Sequence, residues 1–180
     1  SQPPSPALSI PVPLAPPQPP AGTTPQAALT ARPGVVQLYR SPALTPAQSD
    51  ALAARARAAG LGDVVAVDAE AVFNIALASP LTPGAADTLA WLLAETYEPE
   101  RLSASPRLTS GGGAGGKGAA TVVEVGPRLS FQSAWSTNAV SVCASAGLSP
   151  PVTRVERSRR YAVTLASGGA LTPAQGAAFA

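Results

Sequence analysis

The hexapeptide Ala-Leu-Thr-Pro-Ala-Gln occurs twice in this 180-residue chain, at residues 43–48 and 170–175. Each copy places a threonine hydroxyl where it can cap a helix and a proline at the first helical position, where no N–H is needed. A glutamine three residues after the cap can reach back to it. Two helix starts are thereby fixed near opposite ends of the chain. A shorter version, Leu81-Thr82-Pro83, opens a third helix carrying Leu89, Leu92 and Leu93. The first helix runs through the alanine-rich stretch Ala51–Ala59 and stops at Gly60, a residue suited to the left-handed turn that ends helices.

Strands fall around these helices. Val35–Tyr39 and Asp63–Val67 are apolar and β-prone, and Val72–Leu77 sets Phe73, Ile75 and Leu77 on one alternating face. The second half begins with strand Thr121–Val125. It continues with a helix from about Thr137 to Ala146, capped by Ser136 and ended by Gly147, then strands at Val152–Glu156 and Arg160–Leu165 and a helix from Pro173. The predicted order is βαββα, twice. The division is 34–102 for the first unit, 103–120 for a flexible connector around Gly111–Gly116, and 121–180 for the second unit. The fold class expected is α+β, with helices covering a mainly antiparallel sheet. Half a sheet has open edges, so the two units should share one sheet or pack face to face. The last helix has only 8 residues from Pro173 to Ala180, so the second unit is expected to be truncated and the chain to be a fragment of something longer.

Composition narrows the chemistry. Of 21 prolines, 11 lie in residues 1–33, which hold no acid and one base, Arg32. Such a leader cannot sustain a hydrogen-bond ladder and is expected to be disordered, or the remnant of a transit peptide. The compartment expected is the cytoplasm, or a plastid or mitochondrion if the leader is such a remnant. With 0 histidines the chain carries no Ser-His-Asp or Cys-His catalysis and none of the common zinc sites. Its 1 cysteine, Cys143, forms no internal disulfide and sits on an apolar helix side with Ala139, Val140 and Ala146. No catalytic residue, metal or bound cofactor is expected in this chain. No apolar run approaches the roughly 18–20 residues that span a bilayer. Residues 50–100 carry eight acids and two arginines, net −6; residues 101–180 carry eight bases and two acids, net +6. The halves could attract each other or face different partners, and neither charge argues for nucleic acid.

Two glycine signatures mislead. Gly111 to Lys117 fits most of a P-loop, and Gly113, Gly115 and Gly118 fit G-x-G-x-x-G, but a polar loop precedes them and a strand follows. Phosphate binding needs the strand before and the helix after, so the tract reads as a linker. Glu98 and Glu100 flank Pro99 past a helix end and read as a solvated turn. The stretch Val125–Leu148 differs in kind. It gathers Arg128, Ser133, Trp135, Ser136, Thr137 and Asn138 around one strand-to-helix junction, where free N–H groups and hydroxyls can receive an anion or a partner loop. Capping by Ser136 and packing by Trp135 explain the same residues equally well. The run Arg154, Glu156, Arg157, Arg159, Arg160 and Tyr161 fits a solvated strand face, a docking surface, or an RNA-binding patch of a free-standing regulatory module.

Together these stretches resemble one family. Gly126-Pro127-Arg128 through Phe131, Trp135-Ser136-Thr137-Asn138-Ala139, Gly147-Leu148, Arg154-Val155-Glu156-Arg157 and Arg159-Arg160-Tyr161 are similar, in order, to the N-terminal domain of the large single-chain formylglycinamidine ribonucleotide amidotransferases. Trp91-Leu92-Leu93-Ala94-Glu95-Thr96-Tyr97-Glu98-Pro99-Glu100 resembles the second helix and exit turn of the same domain. The resemblance implies a fold like a dimer of the small subunit found in multi-protein versions of the enzyme. It implies a non-catalytic domain bridging the synthetase and glutaminase domains of one polypeptide. The whole enzyme would use ATP and Mg²⁺ to convert formylglycinamide ribonucleotide and glutamine, with neither nucleic acid nor membrane as partner. Arg128, Ser133, Trp135, Ser136, Thr137, Asn138, Arg154, Glu156, Arg157 and Arg160 would be interdomain or near-substrate contacts. The Gly-rich insertion and proline leader depart from the family pattern.

Overall fold

The computed structural model describes residues 22–95, 97–111, 119–128 and 130–180. Four of its helices start at Thr-Pro. Thr24, Thr45, Thr82 and Thr172 each cap with the hydroxyl, and the two hexapeptides form complete capping boxes through Gln48 and Gln175. The elements run α1 Pro25–Ala31, β1 Gly34–Arg40, α2 Pro46–Ala58, β2 Val64–Leu77, α3 Pro83–Ala94, a 3₁₀ turn Pro99–Arg101, β3 Leu102–Ser103, β4 Ala120–Val125, α4 Ala134–Ser145, β5 Val152–Leu165 and α5 Pro173–Phe179. The five strands form one antiparallel sheet in the order β3-β1-β2-β5-β4.

Cross-strand neighbours point to the same side, so the register sorts the sheet into two faces. One face bears the helices. At one end of it Val36, Leu38, Phe73, Ile75 and Val155 are buried with α1, α3 and α4, around Leu29, Leu89 and Cys143. At the other end Val67 and Val163 pack with Ala53 and Ala56 of α2 and with Leu171 and Phe179 at α5. The opposite face is crossed by the segment after β3, whose Leu108 packs on Ala120 and Ala162. The fold is α+β, with all its helices on one face.

Four expectations need correction. The leader of 1–33 is not wholly unstructured: α1 buries Leu29 completely in the main core, and the Leu81 N–H donates to the Leu29 carbonyl at 3.2 Å. Residues 1–21 lie outside the described residues. The paired strands expected at 63–67 and 72–77, and again at 152–156 and 160–165, are single 14-residue strands. Each half therefore reads strand, helix, long strand, helix, rather than βαββα. Asp68 and Glu70 in β2 and Arg157 to Arg159 in β5, which lie between the expected strands, continue the ladder because each strand is the other's partner. The connector 103–120 is partly packed, with Ala104 and Leu108 buried; the glycine signatures at 112–118 lie outside the described residues. Ser136 is not the cap of α4. Ser133 is, three residues earlier, and Ser136 occupies the third helical position, fully buried.

Cys143 is a buried small side chain, as expected, and desolvation pushes its thiol above the usual value. Among the described residues no helix is long and apolar enough to cross a membrane.

Candidate functional site

β4 ends at Val125, so β5 continues beyond it with one open edge from Ser158 to Val152. The chain covers that edge by turning sharply across it. Gly126 allows the turn: a Cβ there would meet the Ser158 Cβ at 2.8 Å. The loop leads to Ser133, which caps α4 through a bond from the Ser136 N–H at 3.1 Å. Glu156 fixes the cap from the sheet. It accepts the Ser133 N–H at 3.0 Å on one oxygen and the Ser133 hydroxyl at 2.7 Å on the other. Arg154 closes the clamp, donating to Glu156 Oε1 at 3.0 Å and to the Phe131 carbonyl at 2.6 Å. Burial raises the Glu156 carboxyl, but the Ser133 hydroxyl, the Ser133 N–H and Arg154 outweigh it and hold the group below its ordinary value.

Trp135 follows the cap and turns to the helix-bearing face. Its ring stacks on Phe73 with centroids 6.3 Å apart, and the Arg157 guanidinium lies 5.2 Å from the ring centroid. A stacked guanidinium keeps its N–H edge free for an acceptor. Arg159 stands two residues along the same strand face, in one register row with Ala71 and Arg40. Arg40 pairs with Glu95 at 2.7 Å and Glu98 at 3.3 Å, while its Nε is buried without a partner.

The opposite face is organised differently. Arg160 pairs with Glu70 at 2.5 Å and lies 5.7 Å from the Tyr39 ring centroid. Glu70 is fully buried on β2 and also accepts the Arg107 and Leu108 N–H groups, at 2.8 and 3.3 Å. Desolvation nevertheless dominates over those bonds and over Arg160, and keeps its carboxyl above the ordinary value. A chain of polar contacts crosses the strands beside it, from Tyr39 to Gln37, Asn74, Ser158 and Glu124. A polar cavity of about 240 Å³ opens here, lined in part by Tyr39, Glu70, Arg101, Ser103, Ser105 and Arg107.

Of the residues singled out in the sequence, Ser133, Trp135, Ser136, Arg154, Glu156 and Arg157 come together at the junction. Arg128, Thr137 and Asn138 are exposed on its outer side. Arg160 is elsewhere, on the far face. The Arg154–Arg160 run is therefore no continuous basic stripe: Arg154 and Arg160 are paired to carboxylates on one face, and Arg157 and Arg159 lie on the other. That division does not support the RNA-binding reading. Sequence reasoning missed Glu70, whose only signal was an acid inside a β-prone run, and left Arg159 off the site although it alternates with Arg157.

Residues 70–180 match the family model described as "Formylglycinamide ribonucleotide amidotransferase N-terminal". The chain is 43% identical over 127 residues, 71% of its length, to a protein of Arabidopsis thaliana named "Probable phosphoribosylformylglycinamidine synthase, chloroplastic/mitochondrial". That alignment covers 9% of the relative. It is 33% identical over 137 residues to the phosphoribosylformylglycinamidine synthase of Dictyostelium discoideum, covering 72% of this chain and 10% of the relative. The human enzyme of the same name matches at 34% over 108 residues, 59% of this chain and 8% of the relative. The chain thus spans about a tenth of the length of the curated relatives it matches.

Proposed function

Because the chain belongs to the formylglycinamide ribonucleotide amidotransferase N-terminal family, we propose that it is the N-terminal, non-catalytic domain of a phosphoribosylformylglycinamidine synthase. The observation that carries this reading is the collinear match covering 71% of the chain but only 9% of the relative. In this reading the parent polypeptide is a carbon–nitrogen ligase of purine biosynthesis with glutamine as amido donor. ATP, Mg²⁺, glutamine and formylglycinamide ribonucleotide are handled by its other domains, and the chain with 0 histidines holds those domains in register. The relative named chloroplastic/mitochondrial favours the organellar choice of compartment over the cytoplasm.

The junction suits a bridging role physically. Its fold-bearing residues are pinned by Glu156 and Arg154, so the outer residues Arg128, Thr137 and Asn138 are presented by a rigid base. A preorganised surface loses little entropy on docking. The test is made in the parent polypeptide, with Arg128→Ala and Asn138→Ala, exposed positions whose loss leaves the core intact. Glutaminase activity, ammonia-dependent synthesis and glutamine-dependent synthesis are assayed separately. We expect both half-reactions to persist while glutamine-dependent synthesis falls at least tenfold. Unchanged glutamine-dependent synthesis would remove the bridging role of these residues. A natural transcript that stops soon after Ala180, with no nucleotide-binding or glutaminase sequence, would remove the reading as a whole.

A further inference from the structure

The geometry points to a binding site for a phosphate monoester between Arg157 and Arg159, on the helix-bearing face of the sheet. The inference rests on the strands' charge pattern and is independent of the enzyme assignment. By register, all four carboxylates on β2, β4 and β5, namely Asp68, Glu70, Glu124 and Glu156, share the opposite face. Two of them take up the arginines there, Glu70 with Arg160 and Glu156 with Arg154. The helix-bearing face has arginines but no strand carboxylate. Arg40 is met by Glu95 and Glu98 from beyond α3, and Arg157 and Arg159 make no ion pair among the described residues.

The helices leave this part of the face open. Its two apolar clusters lie to either side, one around Phe73 and Ile75, the other around Val67 and Val163. Ala71, on a central strand between Arg40 and Arg159, is only half-buried, whereas Phe73 and Ala69 beside it on that face are buried. The gap is therefore floored by a methyl group and flanked in its register row by Arg40 and Arg159. Arg157 and Arg159 alternate on one strand, so their Cβ atoms are roughly 6.6–6.8 Å apart. Trp135 holds the Arg157 guanidinium in place. A carboxylate has one charge and two oxygens and satisfies one such fork. A phosphate monoester, with about −1.5 to −2 charge and three terminal oxygens, can accept from two at once. Trp135 is engaged with Phe73 and Arg157, and what the face offers a ligand is guanidinium N–H groups, which suit a phosphoryl group.

The test uses the full chain with Trp91→Phe. Trp91 is 66% exposed, and its removal leaves Trp135 as the sole indole reporter beside Arg157. Ribose 5-phosphate, inorganic phosphate and ribose are titrated against tryptophan fluorescence. The expected result is a saturable response to ribose 5-phosphate and none to ribose. Inorganic phosphate binding equally well assigns the site to the phosphoryl group alone. Tenfold weaker inorganic phosphate adds the ester to what is recognised, and either result upholds the site. Arg159→Gln should weaken binding at least about tenfold with an unchanged melting temperature, as expected for a lost charge-assisted bond. Arg159→Lys, which keeps the charge and loses the fork, should weaken it about threefold and guards against a misfolded glutamine variant. No saturable response, equal binding by the Arg159 variants, or a response to polyuridylate without one to either monoester would overturn the proposal.

Discussion

The two faces of the central strand pair solve the same problem in opposite ways. Arg154 and Arg160 point to one side of β5, and each meets a carboxylate, Glu156 or Glu70, that is itself almost fully buried. Arg157 and Arg159 point to the other side, where Arg157 meets an indole and neither makes an ion pair among the described residues. Alternation along a single strand thus separates arginines that hold the domain together from arginines that are free to bind. A run of basic residues in a strand carries two messages, one per face. Net charge along the sequence averages them into one.

The largest effect expected is at the buried pair. Arg160→Met strands the Glu70 carboxylate inside the sheet and should cost about 3–5 kcal/mol of unfolding free energy, read from urea denaturation. Replacing both partners with apolar residues of similar size should recover most of that loss. A small effect of the single change would erase the distinction between the faces. The α4 junction comes next. Ser133→Ala removes the cap and a bond to Glu156 together, and should cost about 1–2 kcal/mol in the same assay.

Smaller again is the acid dependence of the clamp. The Glu156 carboxyl is held below its ordinary value of 4.5, so its stabilising contribution is complete above that pH. The contribution is lost as pH falls through the lowered folded value. Wild type should exceed Glu156→Gln by about 1 kcal/mol at pH 7, with the gap closing as the pH is taken below 4.5. A gap independent of pH would mean that the side chain acts through packing alone. Smallest of all is Arg159→Gln, which should shift the melting temperature by no more than a surface change does, within about 0.5 kcal/mol. A loss as large as that at Arg160 would show that the two faces are not distinct.

What the sequence disclosed depended on how local the physics was. The Thr-Pro caps could be read directly because a cap and the N–H it satisfies lie within three residues. Phe73, Ile75 and Leu77 declared a strand face by alternation. Long-range partners were not visible. Glu70 lay outside the expected strands, and its partners, Arg160 and the N–H groups of Arg107 and Leu108, lie far along the chain. Ser133 and Ser136 are equivalent as caps on local grounds, and Glu156, 23 residues away, stands with Ser133. Leu29 sat in a proline-rich segment whose composition outweighed its own signal, and only the core reveals what it covers. The motif around Trp135 was legible as a family resemblance before its geometry was known, and the geometry assigns it first to holding α4 on the sheet.

The most direct test of the division between the faces is a pair of double-mutant cycles in urea denaturation. One removes Glu70 and Arg160 singly and together; the other removes Glu124 and Arg159. The account predicts coupling of about 1–3 kcal/mol in the first cycle and none beyond about 0.3 kcal/mol in the second. Absence of coupling between Glu70 and Arg160, or equal coupling between Glu124 and Arg159, would contradict it.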